Sequence, residues 1–473
     1  MNFNLQKKDL YLAAAILNWI HMQYALHFSS KTRDVIGQSR QYIQGILLGK
    51  GRGNICSYAR SVPDCNNQTL HHFISKSPWD ERAVIDHIQG DITKLIGDAV
   101  DGSIHIDESG FPKQGENSVG AKRQYCGRLG KVENCQVGVF LGYSSGSNRT
   151  LIDGRLYLPK DWAEDRVRRR KCDVPDEVIF KTKAEIALEM VLHARENGVI
   201  FSWVGMDSFY GEQTWLRNRL DAEGLIFIAD IPSNTRVWLS LPKTGIPARK
   251  SDRGRIPTKE RVLEEDQAPI GVSALKEMID PRLWNHFFIR DTERKELWSN
   301  VACIRVYPMD DGLPGKELWL IIRRDDDEST TKYQLSNAPL DTNFQRLAKM
   351  SCSRYWIERA FEDAKGIAGL ADYEVRSWIG WHHHVAMSML AMLALLMLNL
   401  QMGKKTDLLT VQDVKEILEV ILPKKKVDEN EIIKIIKEKH KARESARRSH
   451  HRNVQRSSEH RDKSTTINEE SII

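Results

Sequence analysis

Two aspartates stand at the ends of predicted apolar strands. Asp107 ends SIHID and Asp207 ends VIFSWVGMD, and a glycine-containing turn follows each of them. In open α/β sheets the residues that do chemistry gather at strand ends, so the two carboxylates can share one site if their strands are neighbours. Asp230 ends a third such strand, but it lies two residues before Pro232 and we interpret it as structural. Glu108 is expected to point away from Asp107, because successive strand residues face opposite sides.

A third carboxylate shares a predicted helix with two cations. The stretch SCSRYWIERAFEDAKG, residues 351–366, has a helical pattern. At about 100° per residue, Arg354, Glu358 and Lys365 fall within an arc of about 40° beside the apolar face. A solvent-exposed Arg–Glu pair at i,i+4 has the same pattern, so the stripe alone leaves both interpretations open. Glu362, about 40° further round the helix, is the other candidate acid.

Grouped carboxylates suit two kinds of chemistry. They are the hard oxygen ligands that Mg²⁺ prefers, and a pair of them also serves as acid and base in hydrolases such as glycosidases. The run His382-His383-His384 is a poor metal site, because adjacent helical residues diverge by about 100°. We expect these histidines to pack in the protein or to face DNA.

The composition predicts a soluble globular protein. The chain has 473 residues, of which 41% are hydrophobic and 28% charged, enough for roughly three domains. Its seven cysteines form no C-x-x-C pair, which disfavours a zinc site or a disulfide framework and favours a reducing cytoplasm. The apolar stretch 385–402 is interrupted by polar residues, and we expect a buried core helix rather than a membrane span.

The chain divides into five predicted regions. Residues 1–95 are helical and include NICSYARSV, a short turn and NQTLHHFISKS, roughly the spacing of a helix-turn-helix, although such pairs also occur without DNA. Residues 96–231 alternate strands and helices, typical of an α/β fold with a mixed sheet. Residues 232–340 contain strand-like segments, and 341–402 return to helix. Residues 403–473 are helical and then form a basic, disordered tail.

The positive charge is concentrated in that tail. Between Lys434 and Lys463 there are eleven Lys or Arg and four Asp or Glu, a local balance of +7 against +6 for the whole chain. Basic arms of this kind often hold phosphate backbones. A purely solubilising role is the alternative.

Several stretches together carry a family resemblance. In the right order and over most of residues 40–395, the chain resembles bacterial insertion-sequence transposases of the DDE superfamily, in the branch of hairpin-forming cut-and-paste enzymes. The matching stretches are YIQGILLGKGRGNI, SVPDCNNQTLHHFISKSPWDE, HIDESGFPKQG with SVGAKRQYCGRLGKVENCQVGVF, RLYLPKDWAEDRVRR, DVPDEVIFKTKAEIA, VGMDSFYG and RYWIERAFEDAKGIAGLADYEVRSWIGWHHH.

The resemblance implies a fold and a set of site residues. The fold is an RNase H-like core interrupted by a strand-rich insertion, here 232–340, with a helical DNA-binding region before it. The catalytic residues, which would also bind Mg²⁺ or Mn²⁺ as a substitute, are Asp107, Asp207 and Glu358. The family's helix places a Tyr, an Arg and a Lys around the catalytic Glu. Arg354 and Lys365 match and are expected to contact DNA, whereas Ser351 stands where the family has Tyr.

The resemblance also implies an activity. We expect a DNA transposase that binds the terminal inverted repeats of its element, cleaves there with two metal ions, and joins the ends to target DNA. The family further implies a homodimer on DNA, a location at the nucleoid in the bacterial cytoplasm, and a hairpin intermediate with a flipped base stacked on an aromatic residue. The candidates for that residue are Trp238, Trp284, Trp298 and Trp319. A domesticated, catalytically inactive DNA-binding protein is the alternative.

Overall fold

A computed structural model describes most of the chain. It covers residues 4–29, 34–49, 53–248, 256–263, 268–292, 295–325, 330–406, 409–426 and 428–469. The chain divides into two compact units, Met1–Leu422 and Pro423–Ile473. The candidate site residues lie in the first unit.

The chain begins with helices. They are α1 (Lys7–Tyr24), α2 (Ile36–Leu48), α3 (Ile55–Ser61), α4 (Asn67–Ser75) and α5 (Glu81–Ile96). The side chains of Asn54, Asn66 and Asp80 accept hydrogen bonds from the first turns of α3, α4 and α5, which satisfies amide groups that have no partner inside the helix. The helix pair α3–α4 and the short turn between them match the helix-turn-helix segment predicted from the sequence.

The central region alternates strands and helices. In chain order it contains β1 (Ser103–Pro112), β2 (Lys122–Cys126), a 3₁₀ turn (Gly127–Leu129), β3 (Lys131–Ser145), β4 (Asn148–Leu156), α6 (Lys160–Glu164), α7 (Arg166–Lys171), α8 (Lys183–Glu196), β5 (Trp203–Met206), α9 (Ser208–Gly211), α10 (Thr214–Ala222) and β6 (Ile226–Ile231).

These strands form a mixed sheet in the order β4–β3–β1–β5–β6. The pairs β4–β3 and β3–β1 are antiparallel, while β1–β5 and β5–β6 are parallel. Three antiparallel strands followed by two parallel ones are the arrangement expected of an RNase H-like core. The predicted fold class, an α/β core with a mixed sheet, is therefore confirmed.

The segment after β6 widens the sheet. Its elements are β7 (Arg236–Trp238), β8 (Thr244–Gly245), β9 (Arg261–Val262), β10 (Ile270–Gly271), α11 (Val272–Met278), β11 (Trp284–Asp291), β12 (Glu296–Asp310), β13 (Leu313–Pro314), β14 (Leu318–Asp325) and β15 (Thr331–Ser336). Strand β15 pairs with β6 in the antiparallel sense, and β14 and β12 follow. The strand-rich segment and the core thus share one continuous sheet.

The last helices of the first unit are α12 (Phe344–Cys352), α13 (Tyr355–Gly366), α14 (Trp378–Gly403) and α15 (Val411–Ile421). The single helix predicted over 351–366 is wrong, because the chain breaks between α12 and α13 at Ser353 and Arg354. The hydroxyls of Ser351 and Ser353 donate to the carbonyls of Ala348 and Met350. Such local bonds compete with the helical ladder and end α12.

Helix α14 runs through the core. It is long and apolar enough to span a membrane, but 78% of its most apolar window is buried inside the protein, as expected of a core helix. Its three consecutive histidines are buried packing residues. His382 contacts the carbonyl of Trp378, and His383 lies between the carbonyls of Ile74 and Trp79.

His384 predicts a loss of stability in mild acid. Its Nδ1 lies 2.8 Å from the Tyr42 hydroxyl and its Nε2 lies 3.0 Å from the Gly369 carbonyl, so a neutral ring that accepts from Tyr42 and donates to Gly369 satisfies both contacts. Burial lowers the pKa of His384 to about 4. The unfolded state therefore binds more protons below pH ~6.5, and the free energy of unfolding should fall by up to about 1.4 kcal/mol per pH unit between that pH and pH ~4.

Urea unfolding of His384→Gln tests this expectation. The variant should have a lower free energy of unfolding at neutral pH, and that free energy should depend less on pH than in the wild type. The exposed-site variant His71→Gln should keep the wild-type slope, and an equal slope for both variants would contradict this account.

The second unit contains α16 (Glu429–Glu469). The predicted disordered tail is therefore wrong as a secondary-structure assignment. The segment is rich in Lys, Arg and Glu, which have high helix propensity, and Arg448 and Glu444 form an i,i+4 pair at 2.7 Å. A low apolar content argues against a packed core and not against a helix.

Candidate active site

Three aspartates lie side by side at one edge of the parallel strands. Ile106 of β1 pairs with Met206 of β5, and Met206 pairs with Ala229 of β6. The next residues along these strands are Asp107, Asp207 and Asp230, so they occupy consecutive places on one rung. The structure thus brings the two predicted acids together and adds Asp230, which the sequence had suggested was structural.

Arg354 links this rung to the helix that carries Glu358. Its guanidinium donates to Asp107 at 3.1 Å and to Glu358 at 2.5 Å, and its Nε lies 3.5 Å from an Asp230 oxygen. Arg354 sits at the N-terminal boundary of α13, one turn before Glu358. The Arg–Glu pair is therefore part of a larger cluster and not an isolated surface pair.

Burial raises the pKa values of Asp107 and Asp207. It raises the pKa of Asp107 to about 7, although the neighbouring Arg354 opposes the rise and Asp207 adds to it. Burial likewise raises the pKa of Asp207, whose carboxylate accepts from the Tyr210 amide at 3.2 Å. Clusters of carboxylates with raised pKa values are characteristic of functional sites. Such a cluster gains stability from any cation that enters it.

Glu108 points to the other face of the sheet, as expected. Its carboxylate lies 2.7 Å from the ammonium of Lys183, at the start of α8. The same ammonium lies over the rings of Phe209 and Tyr157. This half-buried ion pair holds α8 against β1 behind the acid rung.

The predicted stripe on α13 is partly preserved. Lys365 is half-buried, with its ammonium 4.8 Å from the Phe361 ring centre. Burial lowers the pKa of Lys365, the nearby Arg128 adds to this effect, and Asp107 opposes it. Lys365 therefore lies on the Asp107 side of the helix. Glu362 is mostly exposed and pairs with Arg359, away from the cluster.

The strand-rich segment supports the turn that presents Arg354. Arg323 of β14 and Gln334 of β15 both donate to the Ser351 carbonyl, at 2.9 and 3.0 Å. Gln334 also donates to Asp230 at 2.6 Å. In addition, the Arg290 guanidinium of β11 stacks on the ring of Tyr355, 4.1 Å from its centre. These contacts fix the start of α13 relative to the rung.

The four candidate tryptophans for base stacking differ in exposure. Trp238 and Trp319 are buried, so neither is accessible to a base. Trp284 and Trp298 are half-buried on the paired strands β11 and β12. The Arg324 guanidinium lies 4.0 Å from the centre of the Trp284 ring, and the Trp298 ring packs against the rings of His286 and Phe288, so both remain candidates.

The donor set at the rung fits a hard divalent cation. Its ligands are carboxylate oxygens, the type that Mg²⁺ prefers. Burial disfavours the ionised form of Asp107, and a bound cation would favour it. Within the described residues, however, no three His, Cys, Asp or Glu side chains are grouped closely enough to hold a metal ion. Glu358 is directed toward Arg354, so a metal site that includes it would require a change of side-chain position.

The sequence analysis recognised Asp230 as a strand-end acid but assigned it a structural role. It missed two cations near the site, Lys183 beside Glu108 and Arg128 near Lys365. Lys183 and Arg128 lie on a helix and a hairpin whose packing on β1 has no sequence signature.

Two comparisons with known proteins agree with this geometry. A family model described as DDE superfamily endonuclease matches residues 24–296, a range that contains Asp107 and Asp207 and ends before Glu358. The probable transposase for insertion sequence element IS701 of Microchaete diplosiphon is 33% identical over 207 residues, which cover 43% of this chain and 50% of that protein. The resemblance to insertion-sequence transposases of the DDE superfamily is thereby confirmed, and the hairpin-forming branch stays a prediction.

Proposed function

Because the chain belongs to the DDE superfamily endonucleases, we propose that it is a DNA transposase of an insertion sequence. In this proposal it binds the terminal inverted repeats of its element, cleaves the DNA there and transfers the strands to target DNA. The observation that carries the proposal is that Asp107 and Asp207 lie side by side on neighbouring strands, and that Arg354 forms ion pairs with both Asp107 and Glu358. The aligned segment spans half of the IS701 protein, so this activity is our inference for the whole chain.

The proposed catalytic residues are Asp107, Asp207 and Glu358, which would hold Mg²⁺, or Mn²⁺ in its place. When bound, a pair of such ions activates the attacking oxygen and stabilises the leaving oxygen of a phosphodiester. Asp107 and Asp207 lie at the carboxyl ends of two neighbouring parallel strands, so the sheet already holds these two of the three rung aspartates in place. The exposed Glu358 is supplied by α13 from the other side.

Arg354 and Lys365 have the proposed role of holding phosphate. Without DNA, Arg354 contacts the carboxylates of Asp107, Asp230 and Glu358, and its single positive charge offsets part of their repulsion. With DNA bound, its fixed guanidinium can form paired hydrogen bonds to phosphate oxygens. Lys365, about two turns beyond Glu358 on the same side of α13, supplies a second positive charge.

The remaining regions have proposed roles in DNA handling. We assign terminal-repeat recognition to the helical region 1–95, with the α3–α4 pair as its reader. The catalytic core would comprise 96–231 and 341–402, with 232–340 as an insertion that fixes α13 and supplies the aromatic residue for a flipped base. The basic segment within 403–473 would contribute sequence-independent phosphate contacts. A homodimer acting in the bacterial cytoplasm, at the nucleoid, completes the proposal.

A cleavage assay with defined DNA tests the function. Purified full-length protein should nick a duplex carrying the ends of its element when Mg²⁺ is added, and should leave a scrambled duplex of equal length intact. Binding without nicking in Mg²⁺ or Mn²⁺ would favour the alternative, a domesticated DNA-binding protein. Absence of both binding and nicking would refute the proposed function.

A further inference from the structure

The hairpin of β2 and β3 folds back over the strand that carries Asp107. A Cβ atom placed on Gly110 would lie 2.7 Å from the Cys126 sulfur and 3.3 Å from the Cys126 Cα. Only glycine permits so close an approach of one backbone to another. Buried Cys126, Cys135 and Val137 pack together under the hairpin and hold it there.

The tip of this hairpin packs against β1, the strand that carries Asp107. The tip is the 3₁₀ turn Gly127–Leu129, which carries the exposed Arg128, and Gly130 ends the turn in the left-handed conformation, with φ 62°. The charge of Arg128 adds to the burial that lowers the pKa of Lys365 on α13. Like charges from two separate elements thus act on the same side of β1. This arrangement is unfavourable by itself and becomes favourable when a polyanion lies between them.

The hairpin also exposes apolar side chains. Tyr125, Leu129 and Val132 are 56%, 43% and 53% exposed, and Tyr125 pairs directly with Val132 across the two strands. Cations surround them: Lys122, Arg123 and Lys131 are all exposed. Apolar wedges flanked by cations are the combination that proteins insert into a DNA groove.

We propose that the β2–β3 hairpin binds the DNA duplex at the active site, with Arg128 on a backbone phosphate and Leu129 against the groove. This inference rests on the proposed transposase function and adds a DNA-binding element to it. The duplex has two possible sources, the element end and the target DNA. Both present the same phosphate backbone and groove, so the experiment must separate them.

The test measures DNA binding by full-length protein made inactive through Asp207→Asn, so that no cleavage interferes. Dissociation constants are measured over a salt series for Arg128→Ala, Leu129→Ser and the control Lys316→Ala. Lys316 is an exposed cation like Arg128, but it lies in the strand-rich segment and pairs with Asp221. One lost phosphate contact should reduce the slope of log K against log salt by about 0.9. Arg128→Ala should show that reduction, Leu129→Ser should weaken binding at an unchanged slope, and Lys316→Ala should match the parent.

Two duplexes identify the bound DNA. A smaller slope with an element-end duplex supports contact with the end, and a smaller slope only with a scrambled duplex, added to protein already holding cleaved ends, supports contact with the target. An unchanged slope and affinity of Arg128→Ala on both duplexes would overturn the hairpin proposal while leaving the transposase function intact. If the parent protein binds neither duplex, the proposed function itself fails.

Discussion

Asp207→Asn is expected to lower the rate of Mg²⁺-dependent DNA cleavage by about 10³-fold or more, because losing even one group that stabilises transition-state charge costs roughly 10²–10³. Asparagine has the same shape and its amide oxygen can still accept from the Tyr210 amide, so the fold should be retained. DNA binding should be unchanged, since Asp207 is proposed to hold metal and not DNA. The measurement is a single-turnover cleavage rate beside a dissociation constant on the same duplex.

Asp221→Asn is the matched control for this substitution. Asp221 is a half-buried aspartate of α10 that pairs with Lys316 at 2.5 Å and accepts from Asn337 at 2.8 Å. The same chemical change there removes one carboxylate charge away from the rung. Cleavage by Asp207→Asn at a rate close to that of Asp221→Asn would remove Asp207 from the site.

Asp107→Asn is expected to abolish cleavage and to stabilise the metal-free protein at alkaline pH. The folded-state pKa of Asp107 is about 7, against 3.8 for the ordinary carboxyl. A raised carboxyl pKa means that the folded state binds the proton more tightly, so stability is lost as pH rises from ~4 through ~7. At 1.4 kcal/mol per pKa unit, the loss is at most about 4 kcal/mol at pH ~8. Asparagine cannot ionise, so the Asp107→Asn variant avoids this loss of stability.

The check is thermal unfolding in a chelator at pH ~4.5 and ~8. Asp107→Asn should unfold at a higher temperature than wild type at the alkaline pH, and the two should converge at the acidic one. Asp153→Asn is the control of opposite sign. Burial disfavours its charge, but Arg82, at 2.8 and 2.9 Å, and Arg155 hold the pKa of Asp153 below its usual range. Asp153→Asn should therefore lower the unfolding temperature at pH ~8. A lower unfolding temperature for Asp107→Asn at the same pH would contradict the raised pKa assigned to Asp107.

The two strand-end aspartates could be found from the sequence because strand periodicity and turn residues are local signals. Ile104 and Ile106 on one face, followed by Asp107 and a Gly/Pro turn, mark the end of β1 without knowledge of its neighbours. The parallel register of β1 with β5, which places Asp107 beside Asp207, depends on pairing across about 100 residues of chain. Only the family resemblance carried that information.

The cluster around Arg354 depended on contacts that no local pattern encodes. The break at Ser353 comes from serine hydroxyls bonding to backbone carbonyls, and it places Arg354 just before the first residue of α13. There it reaches Asp107 and Asp230 as well as Glu358. The angular spacing of helical residues correctly placed Arg354 and Glu358 on one side of the helix. It could not show that Arg323 and Gln334, on the strands of the insertion, hold the turn between α12 and α13 through the Ser351 carbonyl.

The central claim is that Glu358 completes the metal site with the two strand-end aspartates, and one comparison tests it most directly. Glu358→Gln and Glu362→Gln make the same change 40° apart on α13, as judged by helix geometry. The side chains of Glu358 and Glu362 are themselves 51% and 61% exposed, so each substitution should cost at most about 1 kcal/mol of stability. The measurement is the Mg²⁺-dependent cleavage rate of each variant on one element-end duplex. We expect near-complete loss of cleavage for Glu358→Gln and a wild-type rate for Glu362→Gln; retained cleavage by Glu358→Gln together with loss in Glu362→Gln would contradict the assignment.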